Sequence, residues 1–526
     1  MRMTGRFACI LACFLFSLCA NAFCLSAEET SAWDKLNLAA VEVGAVTIHY
    51  EKVLEPGVGG AKSAVEKYLA DDAEWGRKWD KLIAEKTVTN GIDRILGWTP
   101  DEEVRAARER ALSSFVGWSI PGPGKRVHIY FAMRKTVKDY LRAGGALPGF
   151  TYDKKKDIAS YEGQLPITSG GQQADIHFAP PVSDPSEMAG LVSGFVDPWS
   201  RKQRSWLGIH EVVEASILWR MKTRDAHYRW FSTGFANVIA MRLTAECVGE
   251  EVAKAALADS GTARYAALEK DLNLLYWLGK AYEVETPLES ERNLTYARYA
   301  YATLEAERII DAHGIGCVKD IMSRLPAEGA TASDITKAVT DATGEDAGER
   351  LKRYQRFETP EKGFQSYQNA GGAALERKDY AGALSCCLRM LELKQQYDAR
   401  LYGWAAECLM RMGREDMADG VFQAQLKQLT PGSAEHWAIE VELVGYALRT
   451  GMPAKAYDAA EDVLAAQPDD VPALAVRLHR LLTSQKEDEA KKTAALILKL
   501  DTNPASFFHR KAQEVIGGAA GKKGTP

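Results

Sequence analysis

The stretch that decides the fold is WLGIHEVVEASILWRM, residues 206–221, which is followed by a second apolar stretch, WFSTGFANVIA, residues 230–240. Both are rich in large apolar side chains and predict buried helices. The first helix carries three polar groups, His210, Glu211 and Glu214. His210 and Glu214 are four residues apart and therefore share one helix face. Polar groups inside an apolar helix are costly to bury unless they are paired or bind a metal, so these positions are the candidate functional site.

The spacing of these two helices resembles that of the peptidase MA-like zinc metallopeptidases of the gluzincin type. In that family one helix carries H-E-x-x-H, and the third zinc ligand is a glutamate about nineteen residues further on, in a W-L-x-E-G-x-A-like segment. In this chain His210 fills the position of the first histidine, and Glu211 fills that of the general base. Glu214 replaces the second histidine, and Thr233 replaces the ligand glutamate. The resemblance covers about residues 40–356.

These replacements weaken the metal site that the resemblance implies. A catalytic zinc ion has three protein ligands and one open position for water. His210 and Glu214 could supply two ligands, but a threonine hydroxyl is a poor third ligand. A carboxylate in place of an imidazole also adds negative charge, which makes a bound water less acidic. The sequence therefore predicts no cofactor, and zinc only if the altered site still works.

Two schemes for the polar residues of this site follow from the sequence. In the first, His227 or Glu246 supplies the missing third ligand. In the second there is no metal: Thr233 donates a hydrogen bond to a carboxylate, and a protonated His210 pairs with Glu214. A histidine in a loop, such as His227, is more often a surface or capping residue than a ligand. The metal-free cluster is therefore the favoured scheme.

A tyrosine-rich stretch, YARYAYATLEAE, follows further along the chain and contains Tyr296, Tyr299 and Tyr301. In the layout of the resembled family this stretch faces the cleft, where a nearby tyrosine can stabilise an oxyanion. Stacked aromatic side chains are more often part of a core. The sequence leaves both interpretations of these tyrosines open.

The composition excludes several classes of protein. The chain has 526 residues, with 66 Lys and Arg against 71 Asp and Glu, and 46% of its residues are hydrophobic. This length and this apolar content are enough for two or three folded domains. The slightly acidic balance does not suit a nucleic-acid partner, because phosphate binding requires a basic surface. We therefore expect folded domains and no nucleic acid among the partners.

The first residues have the layout of a secretory signal peptide. Arg2 and Arg6 precede the apolar run FACILACFLFSL, and Ala20-Asn21-Ala22 offers the small residues at which a signal peptidase cleaves. A run of about twelve apolar residues is too short to span a bilayer. We expect residues 1–22 to be removed, with cleavage after Ala27 or a lipoprotein as alternatives. The mature protein would be exported, periplasmic or secreted, and without a stable membrane span.

Before the two helices the sequence predicts both strands and helical stretches, which include AKSAVEKYLADDAEWGRKWDKLIAE and DEEVRAARERALSSFVGW within about residues 30–115, and after them it predicts helices alone. VTIHY, residues 46–50, and VHIYFAM, residues 127–133, alternate as strands do, FTYDKKKDIASYE has the pattern of a hairpin, and ADIHFAPP ends in prolines. From about residue 185 to residue 356 the pattern is helical. A small mixed sheet that leads into a helical half predicts an α+β domain. We place this domain, which is gluzincin-like by its resemblance, at residues 30–356.

A second region contains an internal repeat. The repeated positions are Ala383, Ala418, Ala456 and Ala490, which are 35, 38 and 34 residues apart and are followed four positions later by Cys387, Phe422, Ala460 and Ala494. This period, with prolines after the helix pairs, resembles tetratricopeptide repeats. The resemblance predicts about four repeats in an all-α solenoid over residues 362–505, which would bind a protein or peptide partner. Residues 506–526 form a tail, whose end GGAAGKKGTP we expect to be disordered.

Three functions remain open from the sequence. The favoured one is an exported protein whose peptidase-like domain has lost its zinc site, and which binds proteins or peptides through its cleft, its repeats or both. The second is an active metal-dependent endopeptidase or aminopeptidase with an altered HExxE site. In that case His210 and Glu214 bind the metal and Glu211 is the base. The third is an envelope scaffold that works only through the repeats, with an inert first domain.

Overall fold

The computed structural model describes the chain between residues 35 and 517, apart from several short ranges. The described ranges are 35–116, 127–145, 147, 150–153, 158–161, 175–178, 182–196, 201–223, 227–258, 261–279, 282–326, 329–394, 398–430, 433–450, 453–504 and 506–517. The predicted signal peptide, residues 1–22, and residues 518–526 of the predicted tail lie outside these ranges.

The part of the chain up to residue 356 contains both strands and helices. Its strands are β1 (Ala39–Val43), β2 (Val46–Tyr50), β3 (Val127–Phe131), β4 (Phe150–Asp153), β5 (Ile158–Tyr161) and β6 (Asp175–Phe178). Its α-helices are α1 (Glu55–Ala84), α2 (Thr87–Leu96), α3 (Glu102–Val116), α4 (Arg134–Arg142), α5 (Glu187–Val196), α6 (Arg201–Met221), α7 (Arg229–Cys247), α8 (Glu250–Ala258), α9 (Glu289–His313), α10 (Gly316–Arg324), α11 (Ala332–Thr343) and α12 (Ala347–Lys352). Lys52–Leu54, Thr262–Asp271 and Leu274–Tyr276 are short 3-10 helices.

Strands β1, β2, β3 and β6 form a mixed sheet in that order, and β4 and β5 form a separate antiparallel pair. β1 and β2 are antiparallel and are joined by a tight turn, in which Gly44 has the left-handed φ of 59° that glycine tolerates. β2, β3 and β6 are parallel, so that Ile48 lies beside Ile129. Both isoleucines are buried in one core with Val65 of α1 and Val192 of α5. The sheet and the helices that cover it agree with the predicted α+β class.

The strand patterns in the sequence correspond to β2, β3, the β4–β5 pair and β6. Two elements are absent from the sequence prediction, the edge strand β1 and the short helix α4. β1 begins with Ala39 and Ala40, which have low strand propensity. It forms because its backbone pairs with β2, with Ala39 opposite Tyr50. Tertiary pairing rather than local preference therefore makes this strand.

The helices of the first part pack around α7, most of whose residues are buried. α7 contacts both α6 and α9. The close approach to α9 depends on Gly234, because a Cβ at this position would lie 2.5 Å from the carbonyl oxygen of Ala302. Nearby, Asn237 Nδ2 donates to Thr303 Oγ1 at 2.7 Å. These contacts hold α7 in a defined position against α9, while another face of α7 packs on α6, where the predicted site residues lie.

The second part of the described chain is helical. Its helices are α13 (Pro360–Glu376), α14 (Tyr380–Leu393), α15 (Ala399–Arg411), α16 (Glu415–Gln428), α17 (Ala434–Thr450), α18 (Pro453–Ala466), α19 (Val471–Thr483), α20 (Glu487–Leu500) and α21 (Phe507–Ile516). Each helix packs against the next one along the chain. Among the helices that the structure describes, none combines the length and the apolar character needed to cross a bilayer.

The repeated alanines occupy equivalent places in these helices. Each is the fourth residue of its helix and has no exposed surface: Ala383 in α14, Ala418 in α16, Ala456 in α18 and Ala490 in α20. The residues four positions later are also fully buried: Cys387, Phe422, Ala460 and Ala494. The predicted tail contains α21, and its Ala512 and Val515 are buried in the core formed by the last helices. The packed helices therefore extend beyond residue 505.

Candidate functional site

Helix α6 places His210 and Glu214 on one buried face. The two residues are 5% and 6% exposed, so both side chains are largely shielded from bulk water. The Nε2 atom of His210 lies 3.6 Å from Oε2 of Glu214, which is an ion-pair distance and longer than a hydrogen bond. Glu211 lies between them in sequence and is partly exposed. His210 and Glu214 therefore form a buried pair, whereas Glu211 is partly exposed.

The first turn of α7 supplies two hydroxyl donors to this pair. Ser232 Oγ donates to Oε1 of Glu214 at 3.0 Å, and Thr233 Oγ1 donates to the same oxygen at 2.5 Å. Both hydroxyl residues are fully buried. Because Oε2 faces His210, both oxygens of the Glu214 carboxylate have partners from the protein. The side chain at the third-ligand position therefore binds the carboxylate at the second-ligand position.

Arg229, at the start of α7, forms a second polar group beside this cluster. Its guanidinium pairs with the carboxylate of Glu283 and donates to the hydroxyl of Tyr299. It also lies over the ring of Trp277, 4.6 Å from the ring centre. Arg229 is only 5% exposed, and a carboxylate partner such as Glu283 allows a buried guanidinium to remain charged.

The protonation states of the pair follow from these contacts. Burial disfavours both charged forms, but His210 with its positive charge, the hydroxyl of Thr233 and nearby Arg229 lower the pKa of Glu214 to about 2. Burial likewise opposes protonation of His210, and the negative charge of Glu214 outweighs it and raises the pKa of His210. Burial also raises the pKa of Tyr299 to about 12. Near neutral pH the favoured arrangement is an imidazolium beside a carboxylate, with Tyr299 un-ionised.

The donor set does not fit a three-ligand zinc site. Within the described ranges no three His, Cys, Asp or Glu side chains are grouped as metal ligands would be. The two residues considered for the third-ligand position have other partners. His227 Nε2 lies 2.8 Å from the carbonyl oxygen of Glu392, and Glu246 pairs with Arg94 at 2.9 Å.

The second nitrogen of His210 provides an independent test of a metal site. A histidine that ligates a metal nearly always donates its other ring N–H to a carboxylate, a carbonyl or water. His210 Nδ1 is buried without a hydrogen-bond partner in the structure. Its ring instead stacks on Trp206, with ring centres 5.7 Å apart. Among the described residues, none therefore supplies the protein hydrogen bond that commonly supports a zinc-binding imidazole.

The structure brings together His210, Glu214 and Thr233 of the predicted site residues, with Glu211 beside them. Among the predicted tyrosines, Tyr299 accepts a hydrogen bond from Arg229. Tyr301 is buried, whereas Tyr296 is 56% exposed. Ser232 and Arg229 also belong to the site, although neither is predicted from the sequence. The only local signal for Ser232 is that it precedes Thr233 on the same helix, and Arg229 finds its partner Glu283 far along the chain.

Comparisons with known proteins do not assign this chain to a family. It matches no family model, no curated protein and no solved structure. The likeness to gluzincin peptidases therefore rests on the motif positions in the sequence alone. The likeness to tetratricopeptide repeats rests on the 34- to 38-residue spacing of the alanines.

Proposed function

We propose that this chain is an exported, peptidase-like protein that has lost its catalytic zinc site and binds a protein or peptide without cleaving it. The main support for this proposal is the set of hydrogen-bond and ion-pair partners around the Glu214 carboxylate. Its two carboxylate oxygens are occupied by Ser232, Thr233 and His210. A metal ion would have to displace these partners and would still lack a third firm ligand. The cluster instead holds α6 and α7 together by charge-assisted hydrogen bonds.

The frame around the cluster supports a peptidase-like ancestry. Positions 214 and 233 are in direct contact through the 2.5 Å hydrogen bond, as two ligands of one metal ion would be neighbours. Restoring the ligands in the variant E214H/T233E should therefore create a zinc site with His210. Zinc uptake by this variant, and none by the single variant E214H, which keeps threonine at the third-ligand position, is the expected result. A double variant that folds and takes up no zinc would contradict the gluzincin-like assignment.

The second part supports a binding function. The alanines of the repeat are fully buried at the same place in α14, α16, α18 and α20. Small residues at such places let helices cross closely, as in the helical pairs of repeat proteins that present extended binding surfaces. Binding of a protein or peptide partner by these helices fits this arrangement.

The proposal is tested with an unfolded casein as a probe. We expect casein to bind the full chain and to remain intact during long incubation, with or without added zinc. The variant Glu211→Gln should behave like the wild type, because a protein that catalyses no cleavage does not need a general base at this position. Cleavage that is lost in Glu211→Gln and on addition of a chelator would contradict the proposal.

One distance favours a second candidate function, an active metallopeptidase with an HExxE site. Two ligands of one tetrahedral zinc ion are about 3.3 Å apart, given metal–ligand bonds of about 2.0–2.1 Å. The His210 Nε2 to Glu214 Oε2 distance of 3.6 Å is close to this value. In this second function His210 and Glu214 would hold the ion. The missing third ligand and the unsupported Nδ1 of His210 count against it.

A further inference from the structure

The start of α7 is attached to a helix of the second part. His227, two residues before the start of α7, is 7% exposed, and its Nε2 lies 2.8 Å from the carbonyl oxygen of Glu392 in α14. Arg229, Ser232 and Thr233 follow His227 within six residues. The turn of α7 that supplies hydroxyl donors to the candidate site therefore begins at a contact with the repeat region.

A connecting segment, residues 277–288, forms a second attachment. Its described residues are 277–279 and 282–288. Leu278 and Val284 are buried in the same hydrophobic cluster as residues of α14 and α15. In addition, the hydroxyl of Tyr402, on α15, donates to the carbonyl oxygen of Tyr282 at 3.3 Å. One side of the connecting segment is thus part of the core of the second region.

The same connecting segment contacts the start of α7. Its Glu283 pairs with Arg229, and Trp277 Nε1 donates to Glu283 Oε1 at 3.3 Å. The packing against Tyr228 is tight, since a Cβ at Gly279 would lie 2.3 Å from the Tyr228 hydroxyl oxygen. A displacement of α14 and α15 would therefore move the side chains that surround the first turn of α7.

Buried charges join the two parts of the chain firmly. Arg298 of α9 donates to both carboxylate oxygens of Glu392 at 2.7 Å. Arg389 pairs with Glu392 at 3.0 Å and also pairs with Glu291 of α9. The four side chains are at most 8% exposed, and their two positive and two negative charges balance. Separating them would leave uncompensated buried charges, so α9 and α14 are expected to move together rather than part.

We propose that the first repeat helices regulate the candidate site: through His227 and the connecting segment, a partner bound at α14 or α15 changes the contacts of Ser232 and Thr233 with Glu214. His227 is then a positioning residue. Because coupling between two sites is reciprocal, a change at the Glu214 cluster alters partner binding at the repeats by the same factor. The identity of the partner as a protein or peptide rests on the proposed function, whereas the mechanical link does not.

The test is amide hydrogen exchange on the full chain in the variant His227→Phe. Phenylalanine keeps the aromatic packing on Tyr276 but removes the bond to Glu392. We expect the amides of Phe231 and Ser232 to exchange about two- to tenfold faster, the factor that one hydrogen bond contributes. His227→Gln, which can still donate a hydrogen bond, should restore most of the protection.

A milder variant tests the connecting segment. Tyr402→Phe removes the hydroxyl that bonds to Tyr282, and it should accelerate exchange at the same amides of α7. Tyr446→Phe is the matched control, because the buried Tyr446 hydroxyl has no hydrogen-bond partner in the structure. Exchange in α11 should stay unchanged in all variants, which separates a local effect from a general loss of stability.

Faster exchange confined to α14 and α15, with the first turn of α7 unchanged in both His227→Phe and Tyr402→Phe, would overturn the inference. That outcome would leave the proposed function standing, since it concerns only the link between the two regions. Conversely, stoichiometric zinc at His210 would refute the proposed function, whereas the comparison of each variant with the wild type would still test the link between the two regions.

Discussion

Replacing Glu214 by glutamine is the perturbation that most directly changes the buried pair. A glutamine at this position keeps the shape of the side chain, and its carbonyl oxygen can still accept from Ser232 and Thr233. The negative charge beside His210 is lost, however, while the burial of His210 remains. The pKa of His210, which Glu214 raises above the ordinary 6.5, should therefore fall below that value in Glu214→Gln.

The distance between the charges gives the size of the effect. Two unit charges 3.6 Å apart attract by about 4–5 kcal/mol at an effective dielectric constant of about 20. Removing one partner of a buried pair costs about 3–5 kcal/mol. We expect the free energy of unfolding of Glu214→Gln to be lower than that of the wild type by about this amount at pH 6.

The sign of the pH dependence follows from the two pKa values of His210. In the wild type its raised pKa gives a stabilisation that is present below about pH 6.5 and is lost as the pH rises through the folded-state value. In Glu214→Gln the lowered pKa destabilises the protein at low pH, and this cost disappears as the pH rises through about 6.5, where the histidine of the unfolded chain also loses its proton. The difference in unfolding free energy should therefore shrink between pH 6 and pH 8.

The assay combines urea denaturation at pH 6 and pH 8 with carbon-13 NMR of labelled histidine, in which His210→Gln assigns the resonance. Glu345→Gln is the matched control, because His313 and Glu345 form a pair at 3.1 Å whose side chains are 28% and 39% exposed. Such a pair contributes about 0.2–1 kcal/mol. A His210 that titrates no lower in Glu214→Gln than in the wild type would refute the reasoning.

Three further predictions concern stability. Gly234→Ala, which sets a Cβ 2.5 Å from the Ala302 oxygen, should lower the free energy of unfolding by about 1–3 kcal/mol, whereas Gly420→Ala on the open side of α16 should not lower it. Glu392→Gln should cost about 3 kcal/mol or more in urea unfolding, since it breaks a buried pair. Acid titration followed by circular dichroism should show the contribution of Glu214 disappearing between pH 4.5 and about pH 2.

Local sequence patterns predict a large part of this architecture. The alternation in VTIHY and VHIYFAM corresponds to β2 and β3, which lie side by side in the sheet. The four-residue spacing of His210 and Glu214 and the resemblance-based position of Thr233 point to the residues that meet in the structure. These features are predictable because each depends on helix or strand periodicity, or on a motif with fixed spacing.

The remaining features depend on contacts between distant parts of the chain. The helical pattern predicted from about residue 185 to residue 356 is interrupted at 277–279 and 283–288, which are not helical. Their conformation depends on burial of Leu278 and Val284 in the core of the second region. Similarly, Arg298 and Glu392 are 94 residues apart in sequence. No local pattern in the sequence predicts such a pairing, because each partner taken alone has the pattern of a surface charge.

Both oxygens of the Glu214 carboxylate interact with protein donors, and we propose that the site binds no catalytic zinc. The measurement that tests it most directly is the zinc content of the full chain, purified without chelators or a histidine tag and then incubated with excess zinc. E214H/T233E is the positive control. We predict no stoichiometric zinc in the wild type and about one zinc ion per chain in the control, the number a three-ligand site holds. One zinc ion per wild-type chain, lost in His210→Ala, would contradict the account.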